Sequence, residues 1–560
     1  MNRTSCIGTR RALSGCICVM AILCAPWSTA RSQETAHAVT IRAKHALTPP
    51  LRDLTSTRRE KPNAPFHVLP LMHPLPVAGA GVGKPGGKPG TSWTDTDLVS
   101  PLSYTDISTG SSFEGIGTNS VNTYVPPDPN LAVSPTQIVQ TVNVEFAVWS
   151  RPAVFGGTPE SVLLPEPIHT IFSSLPNSLC ATTDGGDPIV LWDHFDQRWI
   201  ISQLAYNSRF TDNHWCLAIS TTSDAAGAYS VYDFDFNSNF PDYPKVGIWY
   251  GGTASSYSGL YMSFNMFQRG SRFVGAEACA IPIAAVQSPP AALSLTCVQG
   301  ATSVYSILPA DVDGSNAAPA AQPEMYLQFI ASRGSGKTLA LYQFAPNFQA
   351  PANSTWQLAK NIDVATYHEA CGGGACVPQP DTNQQLDSLG DRLMYRLAYR
   401  NRGDGTETLL VNHTVQVSSS SNQTGIRWYR IQNPSGTTTV TEGTYAPTDG
   451  TYRWMGSVAE DKVGDLGLGY SFSGPTVFPG IAVTGRMAGD TSAASALDEE
   501  TVIWSGAGSQ TGVNRWGDYT SMALDPDGCT FWYTDQYQPA TGSFNWRTRI
   551  ASFRFLNCTN

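Results

Sequence analysis

Short apolar runs separated by polar turns dominate the chain from about residue 100 to the C-terminus. The runs are rich in Val, Ile, Tyr, Phe, Trp and Thr, as at residues 137–149, 199–204 and 260–264. β-Branched and aromatic residues favour strands, whereas Asp, Asn, Gly and Pro favour the turns between them. No amphipathic pattern indicates a helix longer than two or three turns. The pattern therefore predicts an all-β fold.

A polar turn precedes an apolar run at seven places, at intervals of 55 to 82 residues. The turns are Asp128-Pro129, Asp187-Pro188, residues 242–245, Pro323-Glu324, Asp391-Arg392, Arg453-Trp454 and residues 515–519. Such spacing predicts a single β-propeller with seven blades, and a string of β-sandwich domains is the alternative. The last blade is short, so we expect residues 100–127 to supply its outer strand and close the ring.

The N-terminal hundred residues differ from the rest. Residues 1–30 are typical of a signal peptide, with three arginines, an apolar stretch at 16–25 and small residues at 28–30. Residues 31–100 contain a Gly/Pro-rich tract at 78–90, which predicts a mostly disordered pro-segment or linker. The predicted propeller domain spans residues 101–560.

Charge and hydropathy exclude some partners. The net charge is −10 and no Lys or Arg block is present, so nucleic acid is not expected as a partner. Beyond the signal, no run of 18 apolar residues suggests a membrane span. A secreted protein, periplasmic or extracellular, is the prediction.

Eight of the twelve cysteines follow the predicted signal peptide. An even number in an exported chain indicates disulfides, and no pair of C-x-x-C motifs suggests a metal site. Eight cysteines allow 105 pairings. Sequential pairing keeps each bond within one hairpin or blade and predicts Cys180–Cys216, Cys279–Cys297, Cys371–Cys376 and Cys529–Cys558.

Several motifs resemble those of uncharacterised secreted bacterial β-propeller proteins. The matching stretches are residues 126–133, 240–245, 391–400, 452–457 and 514–534. The resemblance spans roughly residues 110–560; it implies a secreted propeller and no particular activity. A looser resemblance is to sialidase-type propellers, because Asp527-Gly528-Cys529-Thr530-Phe531 is similar to an Asp-box turn with the Asp one residue too close to the Gly.

In a propeller, residues just before the innermost strands converge on one funnel, which is the default binding site. Asp128, Asp187, Asp242, Asp518 and Tyr519 are the predicted catalytic residues. Paired carboxylates cleave glycosidic bonds, and a neighbouring carboxylate activates a tyrosine nucleophile. The predicted substrate-binding residues are Lys245, Arg392, Arg453, Arg515 and Trp516. Arginines bind carboxylates or sulfates through paired hydrogen bonds.

Structural roles are the alternative for each of these residues. Asp128 and Asp187 are typical turn formers, and Asp242 and Lys245 are able to pair with each other. The arginines at 453 and 515 precede tryptophans and suit blade-to-blade stacking. No cofactor is predicted, although the acidic turns 233–235 and 525–527 suit structural calcium.

The sequence favours carbohydrate recognition at the funnel, and an anionic glycan is one candidate ligand. Cleavage by a glycoside hydrolase or polysaccharide lyase is an open alternative. The rival hypothesis is a non-catalytic extracellular scaffold that binds a protein partner. No nucleophile–base motif or haem site supports a peptidase or an oxidoreductase.

Overall fold

A computed structural model describes residues 38–54, 66–70, 72–73, 92–118, 123–252, 255–491, 493 and 495–559. The predicted signal peptide and the Gly/Pro-rich tract lie outside the described residues. Strands dominate the described residues, whose α-helices are α1 Leu51–Leu54 and α2 Ile283–Gln287. Short 3-10 helices cover Ile168–Phe172, Leu179–Ala181, Pro351–Asn353 and Ala370–Gly373. The all-β prediction is confirmed.

The first five strands are β1 Ala38–Leu47, β2 His67–Val68, β3 Leu98–Val99, β4 Ile107–Gly117 and β5 Tyr124–Val125. After them the chain forms repeated four-strand antiparallel groups. The first three groups are β6 Asn130–Val133, β7 Gln137–Val142, β8 Glu145–Ser150 and β9 Ser161–Pro167; β10 Ile189–Asp193, β11 Arg198–Tyr206, β12 Asn213–Ser220 and β13 Tyr229–Asn237; and β14 Asn239–Trp249, β15 Gly259–Gln268, β16 Arg272–Pro282 and β17 Ser294–Gln299.

The later groups follow the same order, interrupted by the small pair β22 Ala375–Val377 and β23 Leu386–Asp387. They are β18 Leu308–Asp313, β19 Glu324–Ser332, β20 Ser335–Ala345 and β21 Thr355–His368; β24 Met394–Asn401, β25 Glu407–Ser418, β26 Ser421–Gln432 and β27 Thr439–Tyr445; β28 Tyr452–Glu460, β29 Leu466–Gly474, β30 Val477–Arg486 and β31 Thr501–Trp504; and β32 Ser521–Leu524, β33 Phe531–Tyr537, β34 Arg547–Phe555 and finally β4.

The first strands of these groups form a closed ring in the described part of the chain. In order they are β6, β10, β14, β18, β24, β28 and β32; each contacts the next, and β32 contacts β6. The approach is close at Gly247 in β14, where an added Cβ would lie 2.4 Å from the Ala310 oxygen of β18. A side chain at that position would push two ring strands apart.

The group that closes the ring takes its fourth strand from the N-terminal side of the domain. β4 pairs antiparallel with β34, so residues separated by more than 400 positions share one sheet. The prediction that residues 100–127 supply this outer strand is confirmed.

Residues 38–47 differ from the predicted disordered segment because they form β1. This strand pairs with β13 on one side and β17 on the other, and thereby joins two four-strand groups into a nine-stranded sheet. The alternation in Val-Thr-Ile-Arg-Ala-Lys suits a strand. Two open sheet edges supply its hydrogen-bond partners, and neither edge is visible in the local composition.

One ring strand lies at a place that the spacing does not predict. The fourth group begins with β18 at Leu308–Asp313, whereas the turn Pro323-Glu324 precedes β19, the second strand of that group. β18 contains Pro309 and two aspartates, a composition that is unusual for a buried strand. With the strand start at Leu308, the longest interval lies after this group and not before it.

Aromatic and aliphatic side chains fill the space between neighbouring sheets. Trp199 of the second group packs in one cluster with Val139, Phe146 and Val148 of the first group, and all four are buried. All four predicted disulfides are present: Cys180–Cys216, Cys279–Cys297, Cys371–Cys376 and Cys529–Cys558. The bonds indicate a non-cytoplasmic protein. Within the described residues, no helix is long and apolar enough to cross a membrane.

Candidate functional site

Most of the predicted site residues meet where the ring strands begin. We name this group the entry cluster: Asp128, Asp187, Asp242, Tyr243, Lys245, Asp391, Arg392, Arg515, Asp518 and Tyr519. Asp128 precedes β6, Asp187 precedes β10, and Asp242 and Lys245 flank a register shift within β14. Tyr243 lies between these two residues in β14, and the other members lie just before β24 and β32.

Lys245 is fully buried against two aromatic rings. Its Nζ lies 3.5 Å from the ring centroid of Tyr243 and 4.0 Å from that of Tyr519, and it donates to the Pro244 oxygen at 2.9 Å. Burial lowers the pKa of Lys245 to about 8, while the charge of Asp187 opposes the shift. The ammonium therefore gains cation–π contacts but little solvation.

A chain of hydrogen bonds links three further members of the cluster. The Asp518 backbone N–H donates to Asp128 Oδ1 at 2.7 Å, and Arg515 Nη2 donates to Asp518 Oδ1 at 2.7 Å. Burial, reinforced by the charge of Asp518, raises the pKa of Asp128 well above its ordinary value. This environment favours the neutral carboxyl at Asp128.

Asp187 and Asp242 are coupled to this network through their charges. Burial raises the pKa of Asp187 to about 6, against an opposing contribution from Lys245. Burial and the charge of Asp187 raise the pKa of Asp242 well above its ordinary value. The backbone at Asp187 has φ 52°, and its N–H donates to Asn143 Oδ1 at 2.8 Å. Asp187 is thus a turn residue and a member of the cluster at once.

Arg392 is fully buried and stacks on Tyr243, whose ring centroid lies 4.7 Å from the guanidinium carbon. Its Nε and Nη2 donate to the two carboxylate oxygens of Asp391 at 2.8 and 3.1 Å. Burial alone would raise the pKa of Asp391, but the Arg392 and His73 contacts hold it well below its ordinary value. A paired, stacked guanidinium of this kind presents its remaining N–H groups in a fixed direction.

Four buried polar atoms of the cluster have no hydrogen-bond partner among the described residues. They are Asp128 Oδ2, Tyr243 Oη, Arg392 Nη1 and Arg515 Nε. Buried polar groups are almost always paired, so these atoms call for water or a ligand between them.

Tyr519 and Trp516 are held as parts of the core. The Tyr519 hydroxyl donates to the Pro188 oxygen at 3.0 Å, and burial together with Asp187 raises its pKa well above the ordinary value. That shift disfavours the phenolate that a nucleophile requires. Trp516 donates to Ser471 Oγ at 3.0 Å and packs on Trp454 with ring centroids 5.6 Å apart.

Arg453 lies apart from the cluster in a separate ion-pair group. Its guanidinium contacts Glu500 at 2.8 Å through both Nε and Nη2, and Asp449 at 2.7 Å through Nη2. None of the charges that act on Arg453 comes from the entry cluster. Its guanidinium carbon also lies 5.7 Å from the ring centroid of Tyr445 in the neighbouring four-strand group, so Arg453 packs between two groups, on a tyrosine and not on Trp454.

The N-terminal segment 66–73, where described, lies over the entry cluster. Arg515 Nη1 donates to the Leu69 oxygen at 2.7 Å, and His73 Nδ1 lies 3.0 Å from Asp391 Oδ2. β2 pairs in parallel with β5, and Phe66 stacks on Phe544 at 4.7 Å. The cluster is therefore closed on this side by the chain itself.

Sequence reasoning missed Tyr243, Asp391 and His73. Tyr243 stands inside the Asp-Tyr-Pro-Lys turn, and Asp391 directly precedes Arg392, so neighbouring positions gave a usable signal for both. His73 lies within residues 31–100, which the sequence predicts to be mostly disordered, and only tertiary structure brings it to Asp391.

The acidic turns that suggested calcium have protein donors. Asp233 accepts from Ser178 Oγ at 2.8 Å and contacts Lys44 Nζ at 3.3 Å. Asp525 accepts from Arg151 at 2.6 and 2.7 Å and from the Trp532 indole at 2.9 Å. Structural calcium stays a prediction.

No family model and no curated protein matches this chain. Among solved structures, it is similar to a protein of unknown function from Dyadobacter fermentans, with 10% identity, 80% of this chain and 99% of that chain covered, and a TM-score of 0.31. It is also similar to a Penicillium chrysogenum α-L-arabinanase, with 9% identity, 84% and 100% coverage, and a TM-score of 0.30.

A third similar structure is the GH93 α-L-arabinofuranosidase of Fusarium graminearum, with 10% identity, 83% and 99% coverage, and a TM-score of 0.30. At these identities and TM-scores the similarities carry no argument about function. The resemblance to sialidases stays a prediction.

Proposed function

We propose that the protein is an exported seven-bladed β-propeller that binds a carboxylate-bearing glycan at the entry cluster. The seven four-strand groups would be the blades, and the closed ring of first strands supports this arrangement. The observation that carries the functional proposal is the set of unpartnered buried atoms among the aspartates and arginines of the cluster.

The donors and acceptors of the cluster suit an anionic sugar. Arg392 Nη1 and Arg515 Nε are unpartnered donors on fixed guanidinium groups, which match a carboxylate. Asp128 Oδ2 and Tyr243 Oη are unpartnered groups that suit sugar hydroxyls.

Cleavage of the bound glycan is a finer part of the same proposal. Asp187 would be the general acid, because a pKa of about 6 leaves about half of the carboxyl groups protonated at pH 6. Asp518 would be the second carboxylate, oriented by Arg515 at 2.7 Å. Tyr519 would position Lys245 rather than attack the substrate.

Segment 66–73 has to move for a glycan to reach the cluster. Its contacts with Arg515 and Asp391 occupy two charged groups of the cluster. The experiment is therefore a glycan-array screen of residues 36–560 beside a variant in which a Gly-Ser sequence of equal length replaces residues 66–73. Mass spectrometry of the array hits would detect cleavage products.

We expect acidic glycans to bind, and to bind more tightly to the variant. Product release would add hydrolase or lyase activity to the proposal. If neither protein binds any glycan while both stay folded, the glycan proposal fails, and a scaffold for a protein partner becomes the better hypothesis.

A further inference from the structure

A cavity of ≈540 Å³ opens where the ring strands end, which is the opposite end from the entry cluster. Apolar side chains from five of the ring strands line its wall: Leu131, Val133, Leu191, Ile248, Val312 and Met522. This volume lies in the range of small-molecule sites, which are mostly apolar with a few polar groups at fixed places.

Arg396 forms the floor of the cavity by reaching from β24 to β18 and to β32. Its Nε donates to the Met522 oxygen of β32 at 3.2 Å, and its Nη1 donates to Asp311 Oδ2 of β18 at 3.0 Å. Nη2 donates to Asp313. The guanidinium and the two carboxylates satisfy one another, so the floor is polar but internally paired.

Three arginines surround Glu460 beside the rim. Arg402 and Arg430 both pair with the Glu460 carboxylate, the latter at 2.9 Å. Arg400 donates instead to the main-chain oxygen of Glu460 at 3.1 and 2.8 Å. Lys462, which is exposed, lies two residues after Glu460, and its Nζ donates to the main-chain oxygen of Asp527 at 3.2 Å.

Other carboxylates near the rim have partners of their own. Asp525 pairs with Arg151, and Asp313 pairs with Arg396. Asp461 accepts backbone N–H groups from Val463, Gly464 and Asp465. Among the described residues, Arg400 is in no ion pair, although it is buried and lines the cavity. An incoming anion would form a direct ion pair with this guanidinium.

We propose that this cavity binds an amphiphilic monoanion, whose apolar chain lies along the ring strands and whose carboxylate meets Arg400 at the rim. The site is separate from the entry cluster and does not depend on the glycan proposal. The apolar wall and the internally paired floor disfavour a ligand that carries hydroxyl groups along its whole length, because the hydroxyl groups in the apolar part would lose water without gaining partners.

The test is isothermal titration of the folded protein with decanoate and with 1-decanol, both below their aggregation concentrations. We expect saturable binding of one decanoate per chain and at least tenfold weaker binding of decanol. Ala523→Phe would fill the cavity, because Ala523 lines it, and should abolish decanoate binding. Ala359→Phe, at an exposed position on β21, is the matched control and should bind decanoate as the wild type does.

Arg400→Met should weaken decanoate about tenfold while leaving decanol unchanged. If that variant does not fold, Lys462→Met at the exposed rim should weaken decanoate by a smaller factor. Decanoate binding that is absent, or that survives Ala523→Phe, would overturn the cavity proposal; equal affinity for decanol would overturn the role of Arg400. Glycan binding should persist in Ala523→Phe, so that failure of one proposal leaves the other standing.

Discussion

Arg515 donates from Nη1 to the main-chain oxygen of Leu69 at 2.7 Å, across 446 positions of sequence. The same guanidinium holds Asp518 through Nη2 at 2.7 Å. One buried side chain thus joins the N-terminal segment to the carboxylates of the entry cluster, and the segment closes the cluster by a bond that any displacement must break.

Replacing residues 66–73 by Gly-Ser should open the entry cluster. Hydrogen–deuterium exchange should then rise in peptides that cover residues 387–392 and 514–520, because the contacts of Arg515 and Asp391 are lost. Peptides that cover β29, which lies outside the cluster, are the internal control. Unchanged exchange at 387–392 and 514–520 would show that the segment does not seal this end.

Asp187 should make stability depend on pH. Its pKa rises from about 4 in an unfolded chain to about 6 in the fold. A carboxyl with a raised folded pKa contributes stability below the unfolded pKa and loses that contribution as pH rises through the folded value. The free energy of unfolding should therefore fall, relative to Asp187→Asn, between pH 4 and pH 6 and stay level above that range.

Urea denaturation from pH 3.5 to 7 measures this difference. Asn tolerates the φ of 52° at position 187, so the substitution leaves the turn intact. Asp363→Asn, exposed on β21, is the matched control. A wild type that becomes more stable relative to Asp187→Asn as pH rises would contradict the environment described for Asp187.

Removing β1 should expose two sheet edges. Residues 38–47 pair with β13 and β17 over five residues each. At about 0.5 kcal/mol for each lost hydrogen bond, deletion should lower the free energy of unfolding by on the order of 5 kcal/mol. Size-exclusion chromatography should also detect self-association through the open edges. An unchanged melting temperature and a monomeric profile would show that β1 is dispensable.

The disulfide Cys529–Cys558 ties the C-terminus to the turn between β32 and β33. It closes a separation of 29 residues, and a loop of that size corresponds to about 3–4 kcal/mol. The double variant Cys529→Ser and Cys558→Ser should lose this amount, measured by urea denaturation. Reducing the wild type should reproduce at least the same loss, whereas a variant as stable as the wild type would contradict it.

The sequence predicts the all-β fold, the disulfides and the outer strand because each leaves a local mark. Turn residues precede the ring strands at four of the seven predicted places and lie within the strand at two more, and the paired cysteines are close in sequence. β1 is not predicted because two sheet edges that are distant in sequence hold it, and β18 is not predicted because its proline and aspartates are atypical of a strand. Tertiary pairing overrides local preference at both places.

The candidate site is predictable in part for the same reason. Asp128, Asp187 and Arg515 immediately precede ring strands, so the repeat brings them together. Arg453 belongs to the same repeat but lies inside β28, and it pairs with Asp449 and Glu500, which no local pattern predicts. The cavity at the opposite end of the ring cannot be predicted from the sequence, because its wall consists of ordinary strand residues.

The most direct test of the glycan proposal compares two Arg-to-Lys variants by calorimetry with an acidic glycan from the array. Arg392→Lys keeps a charge beside Asp391 but loses the unpartnered Nη1, and Arg453→Lys loses the paired contacts with Asp449 and Glu500. We expect both variants to melt lower, because each loses paired contacts with a carboxylate. Only Arg392→Lys should lose affinity, by at least tenfold, and Arg453→Lys should bind as the wild type does. Equal affinity of Arg392→Lys and the wild type would contradict a glycan site at the entry cluster.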